Sequence, residues 1–269
     1  MLGTADLCMW PPPDLEERVT RLVRQAAEAG VTLIDTADAY CPDEESFGLG
    51  ETVVERAVAS LPPPLRPAVM TKGGHTRLNG TEWGFDGSAE YLRRACRRSA
   101  ERLRRRPLDL YALHRPDPAA PFRESVRGLL QCVEEGLTRG VVLSNVDAER
   151  IALAHDVLGP SLAGVQNEFS LPRPDGRREI RLCERLGLTY FAWAPLGGAR
   201  GVAGLARSAP LAAVARAHGC TPEEAALAWV LAAGPVVVPV VGTSRSSTLR
   251  SCVHALDIRL TDAEVAALG

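Results

Sequence analysis

Four residues of types that exchange protons stand at or just after the ends of three apolar runs in this chain. They are Asp35, Tyr40, Lys72 and His114. If the runs are successive strands of a β/α barrel, their carboxyl ends meet on one face, and in barrel enzymes that face carries the chemistry. A carboxylate, a phenol, an amine and an imidazole gathered there could transfer protons among themselves and to a ligand. The pattern therefore indicates a reaction type as well as a fold.

Short apolar runs rich in β-branched residues alternate with longer amphipathic segments along the whole chain. Strict alternation of strand and helix predicts an α/β fold with a parallel sheet, and eight such units predict a closed (β/α)8 TIM barrel. No linker or change of composition divides the chain, so we expect a single barrel domain over residues 1–269. The eight predicted strands lie within 1–7 and near 31–35, 67–72, 108–114, 140–144, 163–167, 188–193 and 236–241.

The helices between these strands are marked partly by capping residues. Thr221 is followed by Pro222 and Glu224, which is the pattern of an N-cap, a first-turn proline and a capping-box glutamate. Thr261 and Glu264 repeat the box and predict a last helix that closes the chain. The other predicted helices span 15–29, 49–60, 88–105, 122–136, 147–157, 177–186, 210–218, 222–233 and 245–256.

Composition is typical of a globular protein with a sizeable core. The chain has 269 residues, of which 46% are hydrophobic, and a net charge of -2. A nearly neutral chain offers no strong attraction to nucleic acid or to an anionic membrane, so we expect neither as a partner. No apolar run approaches the roughly 20 residues that a membrane helix needs.

The seven cysteines are scattered, odd in number and include no C-x-x-C pair. We therefore expect neither a disulfide framework nor a bound metal. The first residues show no signal-peptide pattern. Together these features favour the reducing cytoplasm as the location of the protein.

Eight arginines lie within residues 93–106. Such a run could bind an anionic partner, or it could form the solvated face of a helix. Leu92, Ala95, Ser99 and Leu103 form an inward stripe at helical spacing, and the total charge is nearly neutral. We therefore interpret the run as a solvated helix face.

Seven short stretches follow one another in the order of a known family. They are Asp35-Thr36-Ala37-Asp38-Ala39-Tyr40, Thr71-Lys72-Gly73-Gly74, residues 109–118, Leu143-Ser144-Asn145, Val165-Gln166-Asn167, Trp193-Ala194-Pro195-Leu196-Gly197 and Val241-Gly242-Thr243-Ser244-Arg245. In these stretches the chain resembles the aldo-keto reductases, and within them a bacterial subgroup similar to pyridoxal reductases. The resemblance implies a (β/α)8 barrel that uses NADPH to reduce an aldehyde or ketone to an alcohol.

The resemblance gives each proton-transfer residue a role, and elementary chemistry agrees. Reduction of a carbonyl needs an acid that protonates the forming alkoxide. Tyrosine, with a pKa of about 10, is a weak acid near neutrality, and a nearby ammonium lowers that pKa. Tyr40 is then the general acid and Lys72 lowers its pKa. Asp35 holds Lys72 charged and in place, and His114 donates a hydrogen bond that orients the carbonyl.

His114 also bears on the type of reduction. Relatives that reduce carbon–carbon double bonds resemble this pattern but carry glutamate at the histidine position. His114 therefore favours a carbonyl substrate, which could be a secondary metabolite, a sugar or a pyridoxal-like compound.

The resemblance also implies a nicotinamide site at the ends of the later strands. Ser144, Asn145 and Gln166 carry hydroxyl or amide groups suited to the nicotinamide carboxamide. Trp193 occupies a position that usually holds a tyrosine, and its indole could stack on the nicotinamide ring. Arg200 could contact the pyrophosphate. The loop after Trp193 completes this part of the predicted cofactor site with Ala194, Pro195, Leu196 and Gly197.

A second part of the predicted cofactor site follows the last strand, where a helix begins. Backbone N–H groups at a helix start suit a phosphate. In the family this segment takes the adenosine 2′-phosphate, so we expect NADP(H), with NAD(H) as the alternative. Arg245 is the expected charge partner of the phosphate. The other predicted residues here are Gly242, Thr243, Ser244 and Arg250.

Three positions in this helix depart from the family pattern. Thr248 stands where an arginine is usual, and Ser251 and Cys252 stand where a glutamate and an asparagine are usual. These positions normally hold the 2′-phosphate and the adenine. Arg250 could substitute for the missing arginine.

The ends of the chain depart from the pattern as well. The sequence starts directly at the first predicted strand, without the hairpin that usually plugs the bottom of the barrel, and it has no residues for a long C-terminal loop. We therefore expect an open substrate pocket. Trp10 and Trp83 in the predicted rim loops could stack on a substrate ring or pack on the barrel.

Two other functional classes compete with a reductase. One is a regulatory protein that keeps the barrel and binds the cofactor without significant turnover. The other is a lyase that uses Lys72 as a Schiff base, but that lysine would have to be neutral, and the adjacent Asp35 favours its charged form. We expect a small-molecule carbonyl as the partner and a monomer or small homo-oligomer.

Overall fold

The computed structural model describes the main chain of residues 1–269 and all side chains except those of Ala199 and Arg200. The predicted pyrophosphate contact of Arg200 therefore lies outside the described residues. The strands are β1 (Leu2–Gly3), β2 (Leu33–Asp35), β3 (Ala68–Gly73), β4 (His75–Leu78), β5 (Glu82–Phe85), β6 (Leu110–Leu113), β7 (Val141–Ser144), β8 (Leu162–Glu168), β9 (Thr189–Trp193) and β10 (Val237–Gly242).

The helices alternate with the strands over most of the chain. They are α1 (Ala5–Met9), α2 (Leu15–Glu28), α3 (Leu49–Ala59), α4 (Ala89–Arg102), α5 (Phe122–Glu134), α6 (Ala148–Leu158), α7 (Arg177–Leu186), α8 (Gly198–Leu205), α9 (Ala209–Ala217), α10 (Pro222–Leu231), α11 (Ser246–His254) and α12 (Asp262–Leu268). Short 3₁₀ helices cover Pro63–Leu65, Gly159–Ser161 and Ala255–Asp257.

Eight of the strands form a closed barrel with the hydrogen-bonded order β1-β10-β9-β8-β7-β6-β3-β2. The predicted (β/α)8 barrel is thereby confirmed. The chain divides into two compact units, residues 1–165 with 242–244, and residues 166–241 with 245–269. That residues 1–269 form one domain stays a prediction.

In the first unit, parallel pairing aligns the ends of the strands that carry the proton-transfer residues. Asp35 pairs with Met70 between β2 and β3, and Lys72 pairs with Ala112 between β3 and β6. The apolar residues that precede these ends are removed from water, with Ile34 and Met70 both 0% exposed. Burial of this strand core supplies the main driving force for the unit.

The second unit has its own buried core. Strand β9 pairs with β10 in parallel, and Phe169 stacks on Trp229 at a centroid distance of 5.3 Å. Helix α10 begins with the predicted capping box, in which Thr221 and Glu224 each bond the other's main-chain N–H. The same box is present at Thr261 before α12. Both predictions of helix starts are confirmed.

Two elements of the first unit differ from the sequence prediction. Helix α1 follows immediately after a two-residue first strand, so the strand predicted within residues 1–7 is much shorter. Residues 75–85, predicted as a rim loop, form an antiparallel hairpin of β4 and β5. Asn79 and Gly80 adopt positive φ in its turn, which this residue pair does readily.

The arginine run forms ion pairs along and around α4, in line with the solvated-face interpretation. Arg93 and Arg97 both pair with Glu135, and Arg94 pairs with Glu90. The run also reaches Glu51, Glu55 and Asp109 through Arg102, Arg104 and Arg105. These arginines neutralise neighbouring carboxylates of the same chain.

None of the helices in the described part of the chain combines the length and the apolar character that crossing a membrane requires.

Candidate active site

Neighbouring strands and one loop bring the four proton-transfer residues together. Asp35 ends β2, Lys72 is the penultimate residue of β3, and His114 directly follows β6. Tyr40 lies in the loop after β2, where its main-chain oxygen accepts a hydrogen bond from Gly50 N. Because β2, β3 and β6 are adjacent in the sheet, the predicted cluster forms at one edge of the strands.

The Lys72 ammonium is the centre of this cluster. Its Nζ lies 2.7 Å from Asp35 Oδ1 and donates hydrogen bonds to the Tyr40 hydroxyl at 3.0 Å and to the Thr36 carbonyl at 2.9 Å. Lys72 is 1% exposed and Asp35 is 2% exposed. These three oxygen partners match the three donors of an ammonium group, so the lysine is held rigidly beside the tyrosine.

Burial dominates the pKa of Tyr40, and a lowering contribution from Lys72 stays a prediction. The pKa of Tyr40 is raised well above its usual value, first by burial and then by the Asp35 carboxylate. Burial also lowers the pKa of Lys72, although Asp35 opposes that shift. Tyr40 is therefore a neutral phenol that keeps its proton near neutrality, as an acid that donates to a strongly basic alkoxide must.

His114 is held by its main chain and by aromatic contacts. Its N–H bonds Gly73 O at 2.8 Å, and its carbonyl accepts a hydrogen bond from Asn145 Nδ2 at 2.9 Å. Its ring packs edge to face against Tyr40 at 5.5 Å and His75 at 4.3 Å. Burial, reinforced by His75 and Lys72, lowers the pKa of His114 well below its usual value, so the imidazole is neutral at neutral pH.

His75 is a residue of this site that the sequence analysis did not single out. It begins β4, two residues after Gly73, the last residue of the strand that carries Lys72. Burial lowers its pKa to about 4, and its Nδ1 has no hydrogen-bond partner among the described residues. The Asn79–Gly80 pair, flanked by alternating aromatic and polar residues, was the signal that could have predicted its hairpin.

A buried acidic pair lies in the same unit. Glu51 is 0% exposed and accepts hydrogen bonds from Thr71 Oγ1 at 2.6 Å and from Arg102 Nε at 2.5 Å. Asp38, also 0% exposed, has no partner for either carboxylate oxygen among the described residues. Burial, followed by repulsion from Glu51, raises the pKa of Asp38 well above its usual value. Asp38 therefore favours its neutral form.

Part of the predicted cofactor set lies in the first unit. Ser144 ends β7 and is 2% exposed, and Asn145 follows it with φ +61°. Asn145 Nδ2 donates to Ser144 Oγ at 3.0 Å. Gly242 is the last residue of β10, Thr243 and Ser244 follow it, and all three belong to this unit. The left-handed conformation of Asn145 stores strain because this residue has a side chain, and such positions are common at functional sites.

The remaining predicted cofactor residues lie in the second unit. Gln166 is buried in β8, and Trp193 ends β9 with an indole Nε1 that has no hydrogen-bond partner among the described residues. Ala194 has φ +47°, and Arg245 is the N-cap of α11. Pro195, Leu196 and Gly197 lie between β9 and α8, and Arg250 is exposed on α11.

One of the departures from the family pattern, Ser251, has a structural partner. Ser251 Oγ donates to Glu224 Oε1 at 2.8 Å, and His254 on the same helix lies 3.3 Å from that oxygen. Burial raises the pKa of Cys252 to about 11. Ser251 thus links α11 to α10 within the second unit.

The two tryptophans predicted at the rim differ in their surroundings. Trp10 follows α1 and is 71% exposed. Trp83 lies on β5, is 42% exposed, and contacts the Arg77 guanidinium, which lies 3.6 Å from the centre of its ring. Trp83 also packs edge to face against His75 at 4.9 Å, so it adjoins the cluster around His114.

Comparison with curated proteins gives reductases over most of the chain. The chain is 35% identical over 248 residues to a 6-dehydroglucose reductase of Novosphingobium aromaticivorans, with 89% of this chain and 80% of that protein covered. It is 30% identical over 280 residues to a probable aldo-keto reductase 1 of Glycine max, with 94% and 79% covered.

Solved structures agree with the sequence comparison. A glycerol dehydrogenase from Gluconobacter oxydans matches with a TM-score of 0.84 at 25% identity, covering 99% of this chain and 89% of that one. An aldo/keto reductase from Klebsiella pneumoniae in complex with NADP and acetate matches with a TM-score of 0.81 at 26% identity, covering 99% and 88%. A sequence model of the Aldo/keto reductase family matches residues 1–269. By these matches and by its barrel, the chain belongs to the aldo/keto reductase family.

Proposed function

We propose that this protein is an NADPH-dependent reductase that converts an aldehyde or ketone to an alcohol, with Tyr40 as its proton donor. The observation that carries the proposal is the buried contact of Lys72 Nζ with both Tyr40 OH and Asp35 Oδ1. Family membership and the reductase names of the relatives support oxidation and reduction of carbonyl groups.

The tetrad of Asp35, Tyr40, Lys72 and His114 is suited to protonating a forming alkoxide. Lys72 donates to the Tyr40 oxygen, so the phenol proton is not used in that bond; it lies within hydrogen-bond reach of Asp35, from which a substrate oxygen would take it over. As the proton leaves, the charge that develops on the Tyr40 oxygen is stabilised by the ammonium 3.0 Å away. Asp35 keeps the ammonium in that position.

His114 would orient the substrate. A neutral imidazole carries one N–H donor and one acceptor, and the lowered pKa keeps His114 in this form. Its N–H would bond the carbonyl oxygen and bring it to the Tyr40 hydroxyl, whose ring already contacts that of His114. Neutrality prevents His114 from competing with Tyr40 as the proton donor.

The residues present fit a nicotinamide cofactor. In the first unit, Ser144 and Asn145 offer a hydroxyl and a carboxamide beside His114. In the second unit, Trp193 Nε1 has no hydrogen-bond partner among the described residues, so contacts within the protein do not use the whole of this indole. The first turn of α11 has no acidic residue, which suits a phosphate.

When bound, NADPH supplies the hydride that adds to the carbonyl carbon. We propose that Ser144, Asn145 and Gln166 hold the nicotinamide carboxamide and that Trp193 stacks on the ring, with the 194–197 loop beside it. We propose that Arg245 binds the 2′-phosphate together with Gly242, Thr243, Ser244 and Arg250.

The substrate is proposed as a small-molecule carbonyl compound. The curated relative in Novosphingobium is named for a reduction of a dehydroglucose, so a keto or aldehyde sugar belongs among the first compounds to test. All seven cysteines are free thiols, which supports our proposal of a cytoplasmic location.

A regulatory, cofactor-binding role is the alternative. It does not require a buried ammonium beside the Tyr40 hydroxyl, an arrangement whose desolvation costs stability. A Schiff-base role for Lys72 is disfavoured because its nitrogen is surrounded by three oxygen partners and the residue is 1% exposed.

The decisive experiment compares wild type with Tyr40→Phe. With NADPH and 4-nitrobenzaldehyde, we expect measurable turnover by wild type and a fall in kcat of about 100-fold or more in the variant, since a general acid contributes 10²–10⁴-fold. NADPH binding, followed by quenching of tryptophan fluorescence, should stay within about threefold, because the substitution removes one oxygen only.

Each other outcome has a defined meaning. Equal turnover in both proteins would assign the proton transfer to another group. NADPH binding without turnover of any aldehyde or sugar would favour the regulatory role. If wild type does not bind NADPH, the proposal is overturned, and Thr248, Ser251 and Cys252 become the positions to examine.

A further inference from the structure

We propose that one face of the β4–β5 hairpin binds the substrate's flat, unsaturated ring and thereby selects aromatic carbonyl compounds. We call this surface the ring face; it consists of His75, Trp83 and Phe85. The inference rests on the proposed reductase function, because it uses His114 as the point where the carbonyl binds.

Strand geometry places these three side chains on the same side of the hairpin. His75 pairs with Phe85 and Arg77 pairs with Trp83 across the two strands. Because side chains alternate along a strand and cross-strand partners share a face, these four residues lie on one side. Leu78 belongs to the opposite side, where it lies beside Gly84.

A continuous series of ring contacts connects the ring face to the catalytic histidine. His75 packs edge to face on His114 at 4.3 Å and on Trp83 at 4.9 Å, and its ring centre is 5.0 Å from that of Phe85. A substrate whose carbonyl reaches His114 would therefore extend its remaining atoms along His75 toward Trp83 and Phe85.

The hairpin is tied to the loop that carries Tyr40. Arg77 Nη2 donates to Cys41 O at 2.5 Å, and Glu44 N donates to Gly80 O at 2.8 Å. Arg77 itself is 8% exposed. The ring face thus has a set position relative to the proton donor, which is the condition for orienting a substrate.

Exposure shows that the ring face has unused contact area. Trp83 is 42% exposed and Phe85 is 40% exposed, so both keep free area, although the Arg77 guanidinium covers part of the Trp83 ring at 3.6 Å. Exposed large aromatic residues next to a reactive site are the usual means of holding an apolar ligand. Stacked or edge-to-face aromatic pairs gain stability beyond the area they bury, which favours a flat ring as the ligand.

The polar groups of the hairpin argue against a polyhydroxylated ligand at this surface. The two terminal nitrogens of Arg77 already donate to Thr81 O and Cys41 O. His75 is neutral at neutral pH, since its pKa is lowered to about 4 by burial and then by Arg115. Sugar hydroxyls need several partners, and of these two side chains only Arg77 Nε and His75 Nδ1 have no partner among the described residues.

The test measures kcat and KM with NADPH for benzaldehyde and for cyclohexanecarbaldehyde, which has a ring of similar size that is not flat. In Trp83→Ala we expect KM for benzaldehyde to rise about tenfold, with KM for the saturated aldehyde changing less than threefold and kcat unchanged for both. Trp83→Phe should retain most of the benzaldehyde affinity. Leu78→Ala, on the opposite side of the same hairpin, should match wild type.

A second readout separates this inference from the proposed function. Benzaldehyde is titrated against wild type and Trp83→Phe, and the difference in tryptophan fluorescence reports on Trp83. Saturable quenching without turnover would support the ring face and overturn the reductase. Turnover with equal effects of Trp83→Ala on both aldehydes, or with no effect on either, would overturn the ring face alone. Neither turnover nor saturable quenching would overturn both.

Discussion

At the scale of single residues, the most constrained atom of the site is Lys72 Nζ. Three oxygen atoms from Asp35, Thr36 and Tyr40 surround it within 3.0 Å. The ammonium and the Asp35 carboxylate are both withdrawn from water, so each depends on the other for compensation of its charge. The coupling between the two charges can therefore be measured from the unfolding of single and double variants.

Removal of one partner should cost more than removal of both. Lys72→Met leaves the Asp35 carboxylate buried without its counter-charge, and we expect a loss of about 3–5 kcal/mol in the free energy of unfolding. The double variant Asp35→Asn with Lys72→Met removes both charges and should recover at least half of that loss. Urea unfolding measures both values. This account would be contradicted if the double variant lost as much free energy of unfolding as Asp35→Asn and Lys72→Met lose together.

At the scale of elements, α4 shows that one arginine-rich helix contains two kinds of ion pair. Arg94 and Glu90 form an exposed pair at 3.5 Å on a single helix face. Arg102 instead reaches across to Glu51 on α3, whose side chain is 0% exposed. The first pair contributes to a solvated surface, while the second compensates a buried charge beside Asp38.

These two arginines should therefore respond differently to truncation. Arg102→Ala leaves the buried Glu51 with its Thr71 hydrogen bond but without a counter-charge, and we expect it to lower the free energy of unfolding by about 3 kcal/mol. Arg94→Ala, the matched control on the same helix, should cost less than about 0.5 kcal/mol. Chemical denaturation of the two variants decides the matter; similar losses would mean that burial of Glu51 does not set the value of its ion pair.

At the scale of the whole molecule, folding buries several ionisable groups that the small net charge conceals. His75 and His114 have lowered pKa values, so the unfolded chain binds protons at these groups more readily than the folded chain does. Asp38, whose pKa is raised, acts in the opposite direction. Stability between pH 7 and 5 therefore reflects a balance of opposing groups.

The contribution of His75 can be isolated with His75→Gln. The pKa of His75 is about 4 in the folded protein and about 6.5 in an unfolded chain. Neutral His75 therefore stabilises the fold at pH values above its unfolded pKa, and this contribution falls as the pH drops toward 4. Between pH 7 and 5 we expect the free energy of unfolding of wild type to fall by about 1–2 kcal/mol more than that of the variant. Thermal or urea unfolding at the two values tests this. Equal losses would place the folded pKa of His75 near its ordinary value.

While the catalytic roles of Asp35, Tyr40, Lys72 and His114 stay predictions, the sequence by itself determined the barrel and the family. These follow from local rules: apolar runs of strand length, amphipathic segments between them, and capping residues such as Thr221 and Glu224 that act on their own helix. Because parallel strands align their carboxyl ends, residues at those ends lie close together: Asp35 contacts Lys72, and His114 contacts Tyr40 of the neighbouring loop.

Only the tertiary structure decided the electrostatics of the site and the contacts of its hairpin. The pKa of Tyr40 depends on how completely it is buried and on its distance from Asp35, quantities that spacing along the chain does not contain. The contact of His75 with His114 likewise depends on how the hairpin is anchored to Cys41. Burial and through-space distance are sums over many residues remote in sequence, and they exist only after the chain has packed.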